Sequence, residues 1–163
     1  MKYYLIDTSA FVYSIENLGK TKIDFFSEKA LNKAFLYLPQ FCVTEVLNTF
    51  ARCFFQKKSI PTEEIYKEWC VNFLDAIRNR KLIYVYDLHR YHNLNTDPII
   101  IKEHTTPLTG KERYLSSFDI LIIAMAMELS KIHIENNEVI LLTRDGRLKR
   151  IANLLSVKSI WYE

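Results

Sequence analysis

Short β-prone runs alternate with helix-like segments along the whole chain, and this alternation constrains the fold more than any other feature. Residues 2–6 (Lys-Tyr-Tyr-Leu-Ile), 36–38, 82–86, 139–143 and 159–162 read as strands. Each is separated from the next by enough chain for a crossover. That spacing favours an α/β fold with a central, mostly parallel sheet covered on both faces.

The intervening segments carry helical signals. Asp7-Thr8-Ser9 opens a helix through Phe11, Val12 and Ile15, with Thr8 or Ser9 as its cap, and a second helix is expected over residues 25–35. After Pro39, a helix near Thr44 repeats apolar residues at Val46, Leu47, Phe50, Ala51 and Phe54, which places one stripe toward a core. Thr62-Glu63-Glu64 is a strong start for a helix ending near Arg80, because the hydroxyl caps it and the acids complement the dipole. Ser116 or Ser117 opens a helix that is apolar almost all round from Ile120 to Met127.

The pattern breaks between Leu88 and Leu115, where Pro98, Pro107 and Gly110 punctuate a polar stretch. It reads as an insertion over the surface of a single domain spanning residues 1–163. His89 and His92 fall inside it, three residues apart and with no third ligand nearby, so they are expected at the surface.

Size and composition agree with one domain: 163 residues, 49% of them apolar, suffice for one continuous core. Cys42, Cys53 and Cys70 are odd in number and never approach a Cys-x-x-Cys spacing, which is expected of buried, reduced thiols. The amino terminus meets a carboxylate after four apolar residues and cannot act as a signal peptide, and the apolar run from Ile120 to Met127 is too short to cross a bilayer. A cytoplasmic protein without a membrane partner is the expectation. A net charge of +3 permits a polyanionic partner without establishing one.

Four acids occupy comparable places in this scheme. Asp7 follows the first strand and Asp145 follows the strand 139–143, where open parallel sheets form their sites. Glu45 and Asp119 are expected in the first turns of helices that begin at the same rim. Each has an ordinary use by itself: Asp7 and Asp145 in turns, Asp119 in a capping box with Ser116, Glu45 against a helix dipole. Together they describe a carboxylate cluster, which is tolerable mainly when cations neutralise it. Oxygen-only ligands select Mg²⁺ or Mn²⁺, ions that activate water against a phosphodiester.

The residues that carry these acids resemble the PIN-domain family. The resemblance runs through Leu5-Ile6-Asp7-Thr8-Ser9, the stretch from Pro39 to Glu45, Ser117 to Ala124, and Leu141-Leu142-Thr143-Arg144-Asp145, in family order and across nearly the whole chain. It implies a three-layer α/β/α fold and metal binding by Asp7, Glu45, Asp119 and Asp145. It also implies that Thr8 and Thr143 orient a carboxylate or a water. Two departures stand out: the 88–115 connection is longer than compact members need, and Gly146-Arg147-Leu148 lacks a further acid that many members carry.

Many small bacterial and archaeal proteins of this kind are metal-dependent endoribonucleases, the toxin halves of toxin–antitoxin pairs, cutting structured RNAs and usually forming homodimers. The resemblance therefore implies an RNA substrate and a cognate antitoxin. Arg52, seven residues after Glu45, projects from the same helix face, and Arg144 and Arg147 flank Asp145, so these three are the candidate phosphate contacts. The alternatives are a catalytically inactive PIN-type nucleic-acid-binding or scaffolding module, and a DNA-directed nuclease of the flap-cleaving type, which ordinarily needs much more chain. The tyrosines and phenylalanines show no stacking signature for single strands.

Overall fold

The computed structural model describes residues 1–17, 34–79, 83–132 and 138–162. In chain order its elements are β1 (Lys2–Ile6), α1 (Thr8–Glu16), β2 (Ala34–Pro39), α2 (Gln40–Phe55), α3 (Glu63–Arg78) and β3 (Tyr84–Tyr86). The chain continues with α4 (Arg90–Leu94), α5 (Asp97–Thr105), α6 (Ser117–Ile132), β4 (Glu138–Thr143), α7 (Gly146–Leu154) and β5 (Ser159–Trp161).

The five strands form one sheet in the order β3-β2-β1-β4-β5, parallel at every pairing. The chain moves outward from β1 through β2 to β3, then returns to the other side of β1 for β4 and β5. Right-handed crossovers running in opposite directions put α1–α3 on one face and α4–α7 on the other. The packing agrees: α2 meets α1 and α3, while α6 meets α4, α5 and α7. This is a three-layer α/β/α architecture. The reversal falls between β1 and β4, so their carboxyl ends border the crevice where open α/β sheets bind ligands.

The central strands are buried on both faces as their continuous apolar sequences require. Leu5, Ile6, Leu36, Leu38, Leu141 and Leu142 have no measurable exposure. Burying each such side chain contributes roughly 1.5–3 kcal/mol, and the β1–β4 register, Leu5 beside Leu141 and Ile6 beside Leu142, aligns the two strand ends.

Several elements depart from the sequence expectations. The helix expected at 25–35 lies outside the described residues up to 33, and Ala34 and Phe35 belong to β2. Pro39 ends β2 and is the residue from which α2 starts, since proline removes a donor but suits a helix N-terminus. The helix expected near Thr44 thus begins at Gln40, and Glu45 sits in its second turn. The Thr62 cap is present, its hydroxyl accepting from the Ile65 amide at 3.4 Å.

The 88–115 stretch is not an unstructured insertion. It contains α4 and α5, whose Ile99 and Glu103 are fully buried, and Pro98 sits in the first turn of α5, where its missing amide costs nothing. Nor is His92 at the surface: it is 1% exposed, its Nδ1 accepts from the His89 amide at 2.9 Å, and its Nε2 faces Glu128 of α6. The Tyr86 hydroxyl donates to the same carboxylate at 2.9 Å, so this polar cluster docks α4 against α6 and β3. Cys42 and Cys53 are buried free thiols and Cys70 is half-buried.

Candidate active site

The ends of β1 and β4 are stitched together by two hydroxyls. Asp7 extends the β1 ladder by donating its amide to Leu142 O at 3.0 Å. Its carboxylate accepts from Ser9 Oγ at 2.6 Å and from Thr143 Oγ1 at 2.9 Å, both at Oδ2. Thr143 Oγ1 in turn accepts from the Asp145 amide at 2.9 Å, and Ser9 Oγ accepts from the Arg144 amide at 3.0 Å. Thr143 therefore does more than end a strand, and Ser9, expected with Thr8 as a helix cap, instead ties Asp7 to Arg144, since α1 starts at Thr8 with Asp7 at its N-cap.

The other three acids are also held by one oxygen each. Asp145 caps α7, Oδ1 accepting from the Leu148 amide at 2.9 Å. Asp119 makes the capping box expected from its spacing, Oδ2 accepting from the Ser116 amide at 2.8 Å and hydroxyl at 2.7 Å. Glu45 Oε2 accepts from Thr8 Oγ1 at 2.7 Å, which makes Thr8 a carboxylate-orienting residue. In all four carboxylates the second oxygen takes no hydrogen bond from the described residues.

All four acids line one cavity of about 830 Å³, together with Thr8, Ser9, Arg52, Arg113 and Arg144. Burial pushes the Asp7 carboxyl up to about 6, the Ser9 and Thr143 hydroxyls oppose the shift, and the charges of Asp119 and Glu45 add to it. Burial likewise raises Asp119, with Asp145 and Glu45 adding repulsion. The acids thus feel one another electrostatically. The Cys42 thiol beside them is pushed up, chiefly by burial.

The donor set fits a hard divalent cation in its chemistry: four carboxylates, each with an oxygen to give, in a cavity whose own repulsion a cation would relieve. Among the described residues, however, no three acidic, histidine or cysteine side chains are arranged to hold a metal ion as they stand.

The three arginines expected to contact phosphate divide. Arg52 lines the cavity and donates to Thr49 Oγ1 at 3.1 Å. Arg144 lies over the Tyr13 ring, 3.7 Å from its centroid, and its guanidinium makes no hydrogen bond or ion pair among the described residues. Arg147 is different: it is 2% exposed, pairs with buried Glu103 at 2.9 Å, and donates to the carbonyls of Glu103, Thr106 and Pro107. Its place inside the first turns of α7, facing α5, makes it a structural cross-link instead of a phosphate contact. The segment it ties down brings Arg113 and Tyr114 to the cavity. Nothing periodic marks that segment in the sequence, so Arg113 carried no signal.

No family model and no curated protein matches the chain. Among solved structures, a chain from the crystal structure of VapBC2 from Rickettsia felis bound to a DNA fragment from their promoter matches over 99% of both chains, with a TM-score of 0.63 and 14% sequence identity. At that identity the likeness is one of fold, extending over every layer described above. The chain has the three-layer α/β/α PIN-like fold to which its four acid-bearing blocks pointed.

Proposed function

We propose that the protein is a metal-dependent endoribonuclease, acting in the cytoplasm as the toxin of a toxin–antitoxin pair. One observation supports this reading above the others. Asp7, Glu45, Asp119 and Asp145 line a single cavity at the β1/β4 crevice, each with one oxygen that takes no hydrogen bond from the described residues.

Those free oxygens would hold Mg²⁺ or Mn²⁺, which when bound supplies an acidified water and neutralises charge on the scissile phosphodiester. Because the acids are not arranged to hold an ion as they stand, loading requires some of them to turn within the cavity. Thr8 and Thr143 limit that movement by holding Glu45 and Asp7 at one oxygen each. Arg52 and Arg144 supply cationic donors at the wall, where a phosphate would be oriented and its added charge stabilised. The VapBC2 likeness motivates an antitoxin as partner, and a homodimer is part of the same reading. Among the described residues no helix is long and apolar enough to cross a membrane.

The unconverged acids also favour a second reading, a catalytically inactive PIN-type module that binds nucleic acid without cleaving it. Calorimetry with Mg²⁺ and Mn²⁺, with parallel RNA and DNA digests, separates the two. Cleavage of RNA that EDTA stops, and that Asp7→Asn and Asp119→Asn each abolish with the fold intact, is the expected result. Undiminished cleavage by both purified variants defeats the assignment.

A further inference from the structure

The cleft continues beyond the carboxylates. Its wall at Arg113, Arg144 and Asp145 is shared with a second hollow of about 420 Å³ that reaches Lys111 and Gly146. Gly146 is shared in turn with a third, of about 340 Å³, bounded by Lys149, Arg150, Asn153 and Trp161. The three hollows form one trough leading from the acids, past the start of α7, to the edge strand β5.

The character of the trough changes along its length. It is acidic at the β1/β4 crevice and basic beyond it. Two of the basic groups are already committed: Arg147 to Glu103, and Arg150 to Glu112 and the Pro107 carbonyl. The side chains of Arg113, Arg144 and Lys149 make no hydrogen bond or ion pair among the described residues. In Arg144 the Tyr13 ring covers one face of the guanidinium and leaves its edge donors available. The β5 end carries Trp161, whose ring lies against the start of α7, 3.9 Å from where a Cβ on Gly146 would sit, with the Arg144 guanidinium 5.9 Å from its centroid. Trp161 is 37% exposed.

Exposed aromatic residues are common on any protein surface. What distinguishes Trp161 is its place beside a trough lined by Lys111, Arg113, Arg144 and Lys149, cations that make no hydrogen bond or ion pair among the described residues. Spaced cationic donors beside an open indole suit a polyanion whose units carry flat apolar faces, which describes an unpaired polynucleotide. A duplex keeps those faces stacked inside and offers none to the ring.

We propose that single-stranded RNA lies along this trough, its phosphates against Arg144, Arg113 and Lys149 and one base stacked on Trp161. The choice of RNA, and the placing of the scissile bond at the acidic end, rest on the nuclease reading above. The base-stacking shelf is carried independently by Trp161 and the free cations. Selection for an unpaired segment next to the cut follows, because only a splayed base reaches the indole.

The test is fluorescence anisotropy of a labelled twelve-nucleotide oligouridine RNA with the full-length protein in EDTA, where metal-dependent cleavage is silent. Trp161→Ala is expected to weaken binding about ten-fold, and Trp161→Phe to restore most of it. Lys149→Ala and Arg113→Ala should each lower the slope of log affinity against log salt by roughly 0.7, while Trp161→Ala leaves that slope unchanged. Should Trp161→Ala fold poorly, Trp69→Phe leaves Trp161 as the sole indole, and RNA is expected to quench its fluorescence.

Binding by Trp161→Ala within two-fold of the wild type, or an unquenched indole at saturating RNA, overturns the shelf. Tighter binding of a blunt duplex or of the matching oligodeoxyuridine overturns the assignment to single-stranded RNA. Wild-type cleavage with an unaffected Trp161→Ala removes the shelf alone. Indole-dependent binding without any metal-dependent cleavage removes the nuclease reading alone.

Discussion

Thr143 donates its hydroxyl to Asp7 across 2.9 Å, joining residues 136 apart in sequence, and the same oxygen accepts the Asp145 amide. One side chain thus fixes two of the four acids relative to each other at the switch point of the sheet. Ser9 repeats the arrangement between Asp7 and Arg144.

Thr143→Val keeps the shape of this side chain and removes both hydrogen bonds. The Asp7 carboxyl is expected to rise further, because the hydroxyl now opposes its shift. Divalent-metal affinity measured by calorimetry should fall about 10–100-fold. An unchanged affinity would show that Thr143 does not position Asp7 for an ion.

Asp7 also sets a pH dependence of stability. Its folded value of about 6 lies above the ordinary 3.8, so between the two the folded chain holds a proton that the unfolded chain has released. Stability therefore falls as pH rises through this window, by an amount on the order of 3 kcal/mol when ionisation is complete. Urea unfolding in EDTA should find Asp7→Asn more stable than the wild type at pH 7, with the advantage vanishing near pH 4. Saturating Mg²⁺ should reverse the order at pH 7, because the ion binds only the folded wild type tightly.

Arg147→Met should destabilise the protein by about 3–5 kcal/mol, since it leaves the Glu103 carboxylate buried without its cation and frees the carbonyls of Glu103 and Thr106. The double substitution with Glu103→Leu is expected to recover much of the loss. A mild effect of Arg147→Met on unfolding, accompanied by a large drop in the salt dependence of RNA binding, would return Arg147 to the role of a phosphate contact.

His92→Leu removes the acceptor of the His89 amide and the partner of Glu128. An unsatisfied buried group costs about 1–3 kcal/mol. The melting temperature should drop by several degrees, and hydrogen exchange should quicken first in α4. Exchange that remains uniform would indicate that apolar contacts alone dock this helix.

The sequence by itself determined the order of the strands and of the long helices between them, and the rim on which the acids sit. Apolar runs such as Val139–Leu142 are buried on both faces in any arrangement, and a strand's end fixes where the next residue emerges. The capping residues at Thr62 and Asp119 were legible for the same reason, being local hydrogen bonds at fixed spacing. Only the tertiary structure decided which arginines face the cleft. Arg144 and Arg147 are three residues apart and alike in composition, yet one lies open on Tyr13 while the other is enclosed by α5. The structure of 88–115 was likewise hidden, because α4 and α5 are short and are held by the partners of His92 and Glu103 from distant elements. Long-range electrostatic and packing partners leave no periodic trace in the chain, and at this site they separate residues that face the cleft from residues that hold the fold.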